Sequence, residues 1–125
     1  MASTATEGLT FGGLLASASL AASQYKIVKL ASTAGEVIVG AAATDGIVGV
    51  LLNDPAAGEE ALYQFAGIAK VLAEASVSRN DKVACSTTGR AKTTTSANDR
   101  VLGFAIDASA SAGDLIRVQL SIHNF

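Results

Sequence analysis

The chain has no tryptophan and only one cysteine, one proline, one histidine and one methionine among its 125 residues. Each scarcity excludes something. A lone Cys85 forms no internal disulfide, and Cys85 with His123 cannot supply the spaced thiols and imidazoles of the usual zinc sites. Neither metal nor cofactor is expected. Val83-Ala84-Cys85 reads as a short strand in which the thiol packs as a small, inert hydrophobe. Charged residues make up 16% of the chain and the formal net charge is −2. The clustered Lys and Arg that hold a phosphate backbone are missing, so nucleic acid is not an expected partner. No apolar run of about 18 residues exists to span a bilayer, so neither is a membrane. Residues 9–22 imitate the apolar stretch of a secretory signal, but Glu7 stands where basic residues would precede it.

Catalytic sets fail in the same way. A Ser-His-Asp or Cys-His device would have to recruit His123, on a strand whose alternation points it outward. Neither phosphate-cradling glycine motif occurs. Glu59-Glu60, Asp54 and Asp114 are the candidate paired acids, but Gly58 and Gly113 beside them mark solvated turns with no second catalytic group nearby. No catalytic residue is assigned, and an enzyme is not expected.

What the chain does have is small residues. There are 25 alanines and 12 glycines, so the 50% hydrophobic content overstates the bulky apolar side chains. The expected core is thin, built of Val, Ile and Leu with four Phe and two Tyr, and thin cores favour association between subunits. Mean hydropathy of +0.40 is too high for a disordered chain.

Sliding the chain against itself by about 54 positions pairs Ser32 with Ser86, Thr33 with Thr87, Gly35 with Gly89, Asp45 with Asp99 and Gly49 with Gly103. This suggests an internal duplication, about 28–66 and 82–122. It bears on an ambiguity. Residues 59–74 alone read equally as an amphipathic helix, with Leu62, Phe65, Ala69 and Leu72 on one stripe. Their partner alternates Ile116, Val118, Leu120 and Ile122 with Arg117, Gln119, Ser121 and His123, the period of a half-buried strand. Residues 61–65 are therefore assigned as a strand, with Gln64 falling on Gln119.

β-Branched runs bounded by turn residues place further strands at 25–31, 36–39, 47–52, 68–73, 82–85, 90–93 and 101–106. Gly35 and Gly89 are expected at the positive-φ positions of tight turns, and Gly49 and Gly103 at bulges or bends inside apolar runs. The fold class is all-β: a small β-barrel or sandwich from two similar halves, residues 25–125, preceded by an extended N-terminal arm, residues 1–24. The arm offers Leu9, Phe11, Leu14 and Leu15 in a glycine-rich setting. The expectation is that neighbouring subunits order it, so that its deletion leaves the barrel folded; docking on its own barrel is the alternative. Charge is uneven too: residues 36–60 carry five acids and no base, residues 70–100 six bases and three acids. Such complementary patches can orient neighbours.

The blocks Tyr25-Lys26-Ile27-Val28-Lys29-Leu30, Thr44-Asp45-Gly46-Ile47-Val48-Gly49-Val50, Asp54-Pro55-Ala56-Ala57-Gly58-Glu59, Gly67-Ile68-Ala69-Lys70-Val71, Leu102-Gly103-Phe104-Ala105 and Ala112-Gly113-Asp114-Leu115-Ile116 together resemble, in order and spacing, the tailed-phage capsid decoration or cement proteins. The resemblance runs from about Tyr25 to Leu120. It implies a small barrel on the outer surface of a virion capsid, commonly a homotrimer, bound to the major capsid protein and stabilising the shell. Where that family often has Gly-Asp, this chain has Asn80-Asp81, a departure confined to a turn. The alternative is an exposed adhesive or carbohydrate-binding β-module, against which the absence of Trp and the shortage of Tyr count.

Overall fold

The computed structural model describes residues 10–125, and the surroundings of side chains for residues 13–125. Ten strands and no helix occur among the described residues: β1 Thr10–Ala16, β2 Ile27–Leu30, β3 Glu36–Val39, β4 Ile47–Leu51, β5 Glu60–Gln64, β6 Gly67–Leu72, β7 Lys82–Cys85, β8 Ala91–Thr93, β9 Arg100–Ala105 and β10 Leu115–Asn124. The fold is all-β. Strands β1 to β5 close into a barrel in the order β1-β3-β2-β4-β5, and β6 to β10 form a second sheet in the order β6-β10-β9-β7-β8.

The two halves thread their strands alike. β1 lies parallel to β3 and antiparallel to β5, and β6 lies antiparallel to β10 while Ala73, just beyond it, bridges in parallel to Ala91 of β8. The ends of β1 and β6 are tied alike as well. Gly58 donates to the Ala16 carbonyl and Gly113 to the Ala73 carbonyl, both at 2.8 Å.

One expectation is corrected here. Residues 10–16 are not a detached arm: β1 closes the first barrel between β3 and β5, and Ala16 and Leu20 are fully buried in it. The reason is the barrel itself. Without β1, β3 and β5 would each present a row of unpaired backbone groups, which β1 satisfies despite its two glycines.

Two apolar clusters form the core, and the larger of them holds the halves together. Val28, Val37, Leu51, Ala61 and Tyr63 join Ala16 and Leu20 inside the barrel. Ile27, Ile47 and Val50 point the other way, into a larger cluster with Val71, Val83, Cys85, Leu102, Ile116 and Val118 of the second sheet. β4 serves both clusters because successive side chains face opposite ways, and Val48, an extra residue in its pairing with β2, shifts the alternation so that Ile47 and Val50 share a side. Hence its run is apolar almost throughout. Backbone bonds stitch the seam: Ile27 N–H donates to Gly89 O at 2.7 Å, and Leu72 N–H to Tyr25 O at 3.0 Å. Of the phenylalanines whose side-chain surroundings are described, none joins a buried cluster, contrary to expectation: Phe65 and Phe125 are exposed and Phe104 is half-buried.

Candidate interaction surfaces

Of the four acids singled out in the sequence, Glu59, Glu60 and Asp114 are engaged in holding the fold. Glu59 Oε1 accepts the Ala56 N–H at 2.8 Å, and Glu60 Oε2 accepts the Gly13 N–H at 2.8 Å. Asp114 accepts from Ala110 and Ser111 at 3.0 and 3.2 Å. Asp54 is exposed. Asp45 accepts from the N–H groups of Ala41 and Ala42 and pairs with Lys29 at 3.1 Å, and the Ala41 bond foremost holds its carboxyl below the usual range. Asp107 is held low by a two-point bond from Arg117, at 2.9 and 3.0 Å. Glu74 is held low by the Thr88 hydroxyl and by Ser86, which donates at 2.8 Å. These are staples between turns, not acid pairs facing a cleft.

His123 is half-buried, its ring stacked on Phe104 with centroids 6.3 Å apart and its Nδ1 against the Ser121 carbonyl. Burial pushes the Cys85 thiol up to about 11, which leaves it protonated and unreactive at neutral pH. Among the described residues no group of three or more His, Cys, Asp or Glu is placed to hold a metal ion.

Of the four arm residues, Leu9 lies outside the described residues, as do the surroundings of the Phe11 side chain, although the Phe11 backbone pairs with Tyr63. Leu14 is half-buried and packs against the barrel core. Leu15 is 42% exposed. Gly35 and Gly89 have φ of +83° and +81°, and Gly49 and Gly103 follow the extra residues Val48 and Leu102. Asn80, where glycine was expected from the resemblance, has φ +74°, a conformation that Asn tolerates better than most residues.

Two surfaces were not legible beforehand. On the barrel, Leu15 of β1 stands directly between Glu36 of β3 and Glu60 of β5. Leu62, also 42% exposed, follows Glu60 on the same face. On the second sheet Lys70 of β6 is directly opposite Arg117 of β10, with Ile68, 41% exposed, one step along. A pocket of about 320 Å³ opens there, lined by Tyr25, Leu52, Gln64, Ile68, Lys70 and Arg117. Tyr25 sits at its edge with φ +68°, held by backbone bonds from its N–H to Leu51 and from Leu72 to its carbonyl.

A closed barrel fused to a sheet of the same strand order, its polar groups engaged in turns and its exposed leucines flanked by charge, defines a small double-sheet binding module. Residues 22–120 match the phage cement protein family, and the chain belongs to that family, whose members are structural proteins of phage. The crystal structure of the head fiber gp8.5 N base in bacteriophage phi29 shares the fold, with a TM-score of 0.71 and 19% identity over 94% of this chain and 97% of that one. No curated protein matches the chain.

Proposed function

We propose that this protein decorates the outer surface of a phage head, binds the major capsid protein, stabilises the shell, and does so as a homotrimer without catalytic activity. The observation that carries the reading is the cement-family match over residues 22–120. The engagement of Glu59, Glu60, Asp107 and Asp114 within the chain supports it, since none of them faces a second catalytic group across a cleft. The role is mechanical. A modest contact per copy suffices, because many copies on a closed shell act together, and a ligand that binds only the intact shell stabilises it by mass action.

The test is co-sedimentation of the protein with undecorated heads, followed by chemical disruption of bare and decorated heads. Binding at saturating stoichiometry, with harsher conditions needed to open decorated heads, is the expected result. Failure to co-sediment at micromolar protein sinks the proposal.

A further inference from the structure

We propose that a second copy of this chain is the partner of the two charged surfaces: the Leu15 face of one copy docks on the Lys70 face of the next. The inference deepens the homotrimer reading above and rests on its self-association, not on head binding.

Charge complementarity carries the argument. The barrel face presents Glu36 and Glu60 on either side of exposed Leu15, and the ion pair of the nearby Lys29 is made to Asp45. The second-sheet face presents Lys70 and Arg117 side by side. Like charges directly opposite across two strands are unfavourable. Asp107 offsets Arg117, but the field of Arg79 also falls on Asp107, so that acid is shared by two cations and none is left for Lys70. Lys70 makes no ion pair among the described residues. An acidic surface from outside relieves that excess, and this chain carries one.

The apolar parts match as well. Leu15 and Leu62 accompany the acids, and Ile68 and Leu115, 41% and 45% exposed, accompany the cations. The two faces are different patches of one molecule. β1 and β4 are two strands apart in the closed barrel, so their outer walls diverge by about two-fifths of a turn. The pocket beside Lys70 is lined by Leu52, just past β4, and by Gln64, at the opposite end of β5 from the Glu60 that pairs with Leu15. The contact is therefore heterologous, and it satisfies both faces of every copy only by closing into a ring.

Sedimentation equilibrium of the full chain tests this with Glu36→Lys, Lys70→Glu and the double variant, at low and high salt. Lys70 is exposed and Glu36 half-buried, neither side chain makes a hydrogen bond or ion pair among the described residues, and circular dichroism confirms that each variant is folded. Each single variant should weaken association by about tenfold or more, because it sets like charges against each other. The double variant restores opposite charges at every contact and should return close to wild type, and salt should weaken the wild type. A wild type that assembles unaffected by either swap overturns the contact alone. A wild type that stays monomeric at hundreds of micromolar overturns both the contact and the self-association proposed above.

Discussion

The carbonyl oxygen of Gln119 lies 2.0 Å from where a Cβ on Gly103 would stand, and the Gln64 carbonyl stands in the same relation to Gly49 at 2.3 Å. In each half a glycine follows a bulged residue and lets the backbone of another strand come against it. Neither neighbour can yield cheaply, because it is main chain paired in a sheet.

Gly103→Ala and Gly49→Ala should each destabilise the protein by about 3 kcal/mol, at the upper end of the cost of overpacking. Gly35→Ala is the comparison: φ is +83° but the space is open, so only the left-handed penalty of about 1 to 2 kcal/mol applies. Urea unfolding of the three variants ranks them. Equal midpoints for Gly103→Ala and wild type would show that the sheet adjusts freely there.

Deletion of residues 1–22 should unfold or grossly destabilise the barrel, the reverse of what a detached arm implies. The deletion removes β1 and the buried Ala16 and Leu20 and leaves β3 and β5 as open edges. Leu20→Ala, a milder probe at 2% exposure, should cost about 2 to 5 kcal/mol. Thermal melts of both proteins check this; a truncated protein melting with wild type would mean that β1 adds nothing to the barrel.

Acid should weaken the fold in a defined direction. The carboxyls of Asp45, Glu74 and Asp107 are all held below their ordinary range in the folded chain. Their contribution is therefore full above the unfolded carboxylate pKa of about 4, and it is lost as pH falls through the lower folded values. Denaturation midpoints should be flat from pH 7 to about 5 and fall steeply below about pH 4. Asp45→Asn should lower the plateau and make the fall shallower, and a variant with an unchanged acid profile would remove Asp45 from this account.

Cys85 should resist a thiol reagent at pH 8 in the native protein and react at once in denaturant, since it is fully buried and its thiol is raised to about 11. Labelling of folded protein at the rate of a free thiol would mean that the second sheet opens readily around β7.

Much of the architecture follows from local pattern. The alternation from Ile116 to His123 needs no tertiary information to be a strand, and the runs at 36–39 and 82–85 coincide with β3 and β7 because turn residues flank them on both sides. The ambiguous stretch 59–74 is two strands, β5 and β6, whose apolar stripe mimics a helix only because short strands on either side of a turn place residues three and four apart.

What the amino-acid sequence determined by itself is the set of elements that carry their own periodicity and their own turns, and with it the all-β class. β1 has neither: Thr-Phe-Gly-Gly-Leu-Leu-Ala has no alternation and two residues that weaken strands, and it is ordered by the unpaired edges of β3 and β5 on either side. Strand alternation turns Ile27 and Val28 to opposite sides, but that both sides are buried, each in its own cluster, was likewise decided by the closed barrel and the sheet packed on it. So was the row Glu36, Leu15, Glu60, whose members are far apart in the chain and meet only through pairing. Hydrogen bonds between distant strands set these features, and a local pattern holds no record of which strand will lie beside which.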